Sequence, residues 1–240
     1  MEKEEFKFEM EKYFKKLNIL ITDRQIAQFY LYMNLLIEWN EKINLTAITD
    51  PKDIILKHFV DCATIENKIS KDAKVVDVGT GAGFPGIPLK ILRDDLVVVL
   101  VDSLNKRVSF LNEVVEKLKL ENISAIHSRI EDFGKNKLYR ENFDVATSRA
   151  VANLSTLVEY MIPLIRVGGN CICMKGSEVK EEINSSNNAV KILGGRVKSV
   201  DNFCLPETDM KRNIVIIEKI ENTPKKYPRK PGLASKDPIK

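Results

Sequence analysis

The chain has few of the residues that metal and redox chemistry needs. Among 240 residues there are two histidines, His58 and His127, and four cysteines, Cys62, Cys171, Cys173 and Cys204. None of the cysteines forms C-x-x-C, so a tetrahedral metal site has no ligand set at usable spacing, and no metal is expected. Cys171 and Cys173 stand two apart in an apolar run, which puts both on one face of a strand as packed, reduced thiols. No run approaches the roughly 20 apolar residues of a membrane span. The first residues, MEKEEFKFEMEKYFKK, are charged and lack the apolar centre of a secretion signal. A soluble, cytoplasmic protein without a membrane partner is expected, and a monomer. Neither sign of charge dominates: 38 Lys and Arg face 34 Asp and Glu, leaving +4, which permits a nucleic-acid partner without demanding one.

Two textures are present. Residues 1–70 read as helix only. From Thr22 onward, TDRQIAQFYLYMNLLIEWNEKI offers Thr22 or Asp23 as N-cap, with Ile26, Phe29, Leu31, Met33, Leu36 and Ile37 at roughly helical spacing. Asp50 before Pro51 starts another helix, with Ile54, Ile55, His58, Phe59 and Cys62 on or near one face. From residue 71 to 221, short apolar runs alternate with helical stretches five times, and two further strands follow without a clear helix between them. That pattern predicts an α/β fold: a mostly parallel sheet of seven strands covered on both faces, closed by a hairpin that leaves one strand antiparallel. Residues 222–240 form a proline-containing basic tail with Lys225, Lys226, Arg229, Lys230, Lys236 and Lys240.

The most informative stretch is VVDVGTGAGFPGIP, Val75 to Pro88. Gly81, Gly83 and Gly86 fit the G-x-G-x-x-G of dinucleotide enzymes. Asp77, Gly79, Gly81 and Gly83 fit the D-x-G-x-G-x-G loop of S-adenosylmethionine (SAM) methyltransferases. A dinucleotide would set its pyrophosphate on the helix start, where the Asp77 carboxylate is a Coulombic cost and Pro85 supplies no N–H. SAM carries a sulfonium and an ammonium, for which Asp77 is an asset as a direct or water-bridged partner. Asp102 ends the second apolar run 19 residues after Gly83, where an acid reaches ribose hydroxyls of either ligand. Ile130 could pack on the adenine, and Glu131 or Asp132 receive its amino group. Arg149, at the end of the fourth strand, is suited to a carboxylate or phosphate.

Missing motifs narrow the acceptor. No N-P-P-Y-like loop follows the fourth strand, no cysteine lies near Ser148 to attack a pyrimidine carbon, and neither histidine is clearly placed as a base. An acceptor already nucleophilic and without a proton to lose remains. Guanine N7 is one, and it asks for positioning rather than acid–base machinery, so no catalytic base is named.

At this point the chain resembles the glucose-inhibited division protein B family. The likeness runs almost end to end and is carried by WNEKINLTAITDP (39–51), ILKHFVDC (55–62), VVDVGTGAGFPGIPLKI (75–91), TSRAVANL (147–154) and YPRKPGLASKDPI (227–239). The resemblance implies a class I SAM-dependent, Rossmann-like methyltransferase core behind a small helical region. It implies methylation of N7 of one guanine in the decoding-region loop of 16S rRNA, in naked RNA or in the small ribosomal subunit. It puts SAM contacts on Gly79, Phe84, Ile130, Glu131 and Arg149, joining Asp77 and Gly81 of the loop, with Asp102 and Ser103 bordering the ribose. His58, Asp61 and Arg149 are candidates for the target pocket. The tail is expected to touch RNA, Arg229 and Lys230 on phosphates and Tyr227 stacked on a base. Two rival readings stand beside it: a dinucleotide-dependent oxidoreductase, and an RNA-binding protein that keeps the fold without the catalysis.

Overall fold

Local signals set the helical start of the chain. The computed structural model describes residues 1–149 and 151–239, so Ala150 of the TSRAVANL stretch and Lys240 of the tail lie outside the described residues. Helix α1 (Lys3–Lys16) leads into α2 (Asp23–Ile43). Thr22 caps α2 through a reciprocal box: its hydroxyl accepts from the Gln25 N–H at 3.3 Å, and the Gln25 side chain accepts from the Thr22 N–H at 2.9 Å. The buried face of α2 is Ile26, Phe29, Tyr32, Met33, Leu35 and Leu36. Leu31 is 38% exposed, because 100° per residue turns it away from the stripe through Phe29, Met33 and Leu36. Asp50 accepts from the N–H groups of Lys52 and Asp53 and starts α3 (Pro51–Ile54). A wide π-helical turn, Ile55–Val60, follows and passes into α4 (Asp61–Ala63). Such turns often mark functional positions, because the extra residue re-aims side chains.

The α/β part follows as β1 (Lys74–Val78), α5 (Gly86–Leu92), β2 (Val97–Asp102), α6 (Asn105–Lys117), β3 (Ile123–His127), α7 (Ile130–Phe133), β4 (Phe143–Arg149), α8 (Leu154–Met161), β5 (Ile165–Lys175), α9 (Lys180–Ile192), β6 (Gly195–Cys204) and β7 (Lys211–Lys219). The strands form one sheet in the order β3-β2-β1-β4-β5-β7-β6. The first five are parallel, and β7 runs antiparallel to both β5 and β6, as the alternation in the sequence implies. The order reverses between β1 and β4, and open α/β sheets bind ligands at that switch, beyond the strand carboxyl ends.

Alternating side chains divide between the two faces of the sheet. Val75, Leu100, Val145 and Ile172 join a cluster with Phe6, Phe14, Phe29, Tyr32 and Phe59, so the N-terminal helices share a core with the sheet. Val76, Val78, Val99, Val101, Cys171 and Cys173 join the cluster under α8 and α9. Both cysteines are buried free thiols, on one face as their spacing implies. Each such side chain, fully buried, contributes about 1.5–3 kcal/mol.

The tail is packed rather than free. The Arg140 guanidinium donates to the carbonyls of Tyr227 at 2.6 Å and Thr223 at 2.8 Å. Arg229 grips the fully buried carboxylate of Glu159 in α8 with its side chain, at 2.7–3.1 Å, and with its backbone N–H at 2.8 Å. Tyr227 is 7% exposed. The expected base stacking by Tyr227 and phosphate grip by Arg229 are therefore corrected: one ring is in the core, and the guanidinium is held by an internal acid. A short helix, α10 (Leu233–Lys236), follows. Removing the Arg229 side chain would strand a buried anion. Arg229→Ala is expected to lower stability by about 3–5 kcal/mol in urea unfolding; a loss below about 1 kcal/mol would mean that the pair is no more than a surface bridge.

Candidate functional site

The glycine-rich loop between β1 and α5 is held from beneath. Asp77 sits in β1, fully buried, and its Oδ2 accepts from the Thr80 hydroxyl at 2.6 Å and the Gly86 N–H at 2.8 Å. One oxygen thus ties the start of the loop to the start of α5. Burial pushes the Asp77 carboxyl up to about 6, against the pull of those two hydrogen bonds. Its Oδ1 has no hydrogen-bond partner among the described residues. Gly79 and Gly81 have φ of +65° and +61°, a region that side chains strongly disfavour. A methyl on Gly86 would overlap Leu100 and come within 2.9 Å of the Asp77 oxygen, so α5 can approach β1 only through a glycine.

Asp102 performs a similar task from β2. Its Oδ2 accepts from the Gly81 N–H at 2.9 Å and its Oδ1 from the Leu104 N–H at 2.9 Å, with Arg107 at 3.4 Å. Unlike Asp77, Asp102 lies in a cavity wall. A cavity of about 380 Å³ is bounded by Gly79, Gly81, Phe84, Asp102, Ser103 and Arg149. A second, of about 250 Å³, shares Gly79, Asp102 and Ser103 and extends to Ile130, Glu131 and Gly232. The two meet at the loop and at the end of β2.

The expected residues separate clearly. Gly79, Gly81, Phe84, Asp102, Ser103, Ile130, Glu131 and Arg149 all line this pair of cavities. Asp77 does not: it lies under the loop and acts on it. Asp132 is exposed and outside the wall, while Glu131 is buried in it, its Oε1 accepting from the Gly232 N–H of the tail at 2.8 Å. Sequence reasoning missed Gly232, Tyr160 and Arg107, which reach the cavities from distant elements.

A larger cavity, about 700 Å³, opens beside the first and is lined by Lys57, His58, Asp61, Arg149, Asn213 and Arg212, among others. His58, Arg149 and Val151 belong to both. Arg149 stands over the Phe84 ring at 4.6 Å, and the His58 ring stacks on Phe84 at 4.4 Å. Arg149 donates to the Lys57 carbonyl at 3.0 Å and to Asp61 at 3.3 Å, and its other terminal nitrogen lies 3.0 Å from His58 Nδ1. Nδ1 also lies 3.1 Å from the Lys57 carbonyl and Nε2 lies 2.9 Å from the Thr46 hydroxyl, so both ring nitrogens have partners. Burial and the Arg149 charge drive His58 down to about 3, so it is neutral near pH 7. Asp61 also accepts from Arg212 at 3.0 Å and so spans two arginines.

The model of the family described as rRNA small subunit methyltransferase G matches residues 25–215. The chain is 52% identical over 221 residues to the ribosomal RNA small subunit methyltransferase G of Clostridium perfringens (strain SM101 / Type A), covering 91% of this chain and 92% of that protein. It is 51% identical to its namesake in Clostridium tetani, covering 95% and 100%. The chain belongs to this family.

It is a methyltransferase of class I fold. Solved structures agree on the architecture. The methyltransferase bound to the Haloferax volcanii Trm112 activator has a TM-score of 0.58 at 12% identity, over 78% of this chain and 98% of that one. The M. jannaschii TYW2 structure in complex with AdoMet scores 0.53 at 15% identity, over 67% and 77%. The cavity pair suits such a cofactor: glycines permit close approach, Asp102 has lone pairs for hydroxyls, and Ile130 offers an apolar wall. Among the described residues there is no group of three or more His, Cys, Asp or Glu placed to hold a metal ion, and no helix long and apolar enough to cross a membrane.

The depressed His58 has a pH consequence. The unfolded chain takes up a proton below about 6.5, and the folded chain resists it down to about 3. Stability from this group is therefore complete above pH 6.5 and is lost as pH falls, by roughly 1.4 kcal/mol per unit. Asp77 acts the opposite way between 3.8 and about 6, so comparison with a variant is needed to isolate the histidine. Between pH 7 and 5, His58→Gln is expected to lose about 2 kcal/mol less than the wild type in urea titrations. Equal losses would contradict a buried, neutral His58.

Proposed function

We propose that this chain uses S-adenosylmethionine to methylate N7 of a guanine in the decoding-region (530) loop of 16S rRNA. The observation that carries the reading is the junction: the cofactor-side cavity and the larger cavity share His58, Arg149 and Val151. S-adenosylmethionine supplies, when bound, an electrophilic methyl carbon. The family and the relatives named as ribosomal RNA small subunit methyltransferases support RNA as the acceptor.

The chain's own residues then have defined tasks. Gly79, Gly81 and Ser103 would hold the cofactor, with Asp102 to accept from its ribose hydroxyls and Ile130 to pack on its adenine. Glu131, already bonded to Gly232, closes the adenine end. Arg149 has five N–H donors, of which three are engaged with Lys57, Asp61 and His58. The other two have no partner among the described residues, Arg149 borders both cavities, and guanine O6, which can accept from it, sits on the same edge as N7. Both nitrogens of His58 are already occupied, Nδ1 by the Lys57 carbonyl and Arg149 and Nε2 by the Thr46 hydroxyl. That arrangement suits an acceptor with no proton to remove, as N7 is. Catalysis is then approximation and exclusion of water.

Mapping of 16S rRNA by mass spectrometry after incubation with labelled cofactor is expected to place the methyl on guanine N7; a methyl on any other atom refutes the assignment. Arg149→Lys cannot keep the three-partner geometry and is expected to lower kcat/KM by about 100-fold, as misplacement at a reacting centre does. With no general base, kcat should be level between pH 7 and 9, and a single ionisation governing it in that range would count against the mechanism.

A further inference from the structure

Beyond the large cavity the surface does not close. A groove of about 530 Å³ runs from it between the end of α1, the α4 region and the tip of β6. Phe203 and Ile214 line both spaces, so the groove adjoins the acceptor side across that wall. Its walls combine an apolar floor of Leu17, Ile19, Ala63 and Ile214 with the side-chain amides of Asn67 and Asn202. Lys16 and Lys68 stand at the rim. Lys68 pairs with Asp201, and Lys16 pairs with Glu207 at 3.3 Å, so both ammonium groups are held in place by acids that a stronger anion can replace.

An aromatic ring, amides that can meet base edges, and rim cations are what a single-stranded nucleotide needs from a protein. The cavity on the other side of Phe203 adds Arg212 and Lys57. We propose that this groove is a second nucleotide subsite, which takes the nucleoside adjoining the methylated one, with its base beside the Phe203 ring and its phosphate at Lys16 and Lys68. This rests on the reading of the chain as an RNA methyltransferase. A folded RNA loop must splay its bases to present one of them, and a neighbouring pocket holds the loop in that opened form.

Cys204 lies on the groove wall and is exposed, while Cys62, Cys171 and Cys173 are buried. A thiol-specific photoreactive group can therefore be attached there without altering the sequence. Irradiated with undermethylated small ribosomal subunits and S-adenosylhomocysteine, the labelled protein is expected to cross-link to 16S rRNA within a few nucleotides of the guanine that unlabelled protein methylates in parallel. Cross-linking only to a ribosomal protein, or only to RNA remote from that guanine, overturns the subsite. Failure of unlabelled protein to methylate 16S rRNA in any particle refutes the underlying function instead. Independently of the label, Lys68→Ala, which removes a cation that lines the groove but not the larger cavity, is expected to raise the KM for the particle several-fold, as loss of one phosphate contact does. Its kcat and its affinity for S-adenosylmethionine, which also reports intact folding, should be unchanged. An unchanged KM contradicts the proposal.

Discussion

A single buried carboxylate oxygen organises the site. Asp77 Oδ2 bonds the Thr80 hydroxyl and the Gly86 N–H, and so clamps the two ends of a loop whose middle glycines have left-handed backbone. Asp102 completes the clamp by accepting from Gly81. The backbone adds its own ties, the Gly79 and Thr80 N–H groups donating to the Val101 carbonyl at 3.0 and 3.1 Å. Tyr32, from the second helix, adds a third tie by donating to the Ala82 carbonyl. The helical prefix thus helps to shape the cavity beside the loop.

From that loop the geometry extends outward through Phe84. Its ring carries both His58 and Arg149, and these side chains border both the cavity beside the loop and the larger one. Arg149 comes from the end of β4, and His58 from the π-helical turn ahead of β1. Asp61, just after that turn, ties Arg149 to Arg212 of β7. The charges are nearly all internally engaged, which fixes the positions of the groups and leaves little freedom for proton transfer. A reaction limited by alignment is the chemistry that such a junction favours.

Much of this was legible in the residues. The alternation of apolar runs and helical stretches was enough for the sheet and its closing hairpin, and the glycine spacing located the loop. Charge logic chose SAM over a dinucleotide; that Asp77 also supports the loop through Thr80 and Gly86 follows from its burial, and burial is a tertiary property. The tail misled for the same reason. Arg229 and Tyr227 read as an RNA grip until α8 supplies Glu159 as a buried partner. Arg212 could not be found at all, because its partner Asp61 is 151 residues away. Helix α2 shows a smaller error of the same kind: Leu31 is apolar and near the stripe, yet the rotation per residue points it outward.

The proposed function brings donor and acceptor together where His58, Arg149 and Val151 border both cavities. The most direct measurement is a crystal structure of the chain with S-adenosylhomocysteine and a guanine-containing oligonucleotide. The account predicts the adenine between Ile130 and Gly232, and the sulfur at the Arg149 junction, facing a guanine in the larger cavity. A sulfur directed toward Ile130 and Glu131, away from that junction, would contradict it.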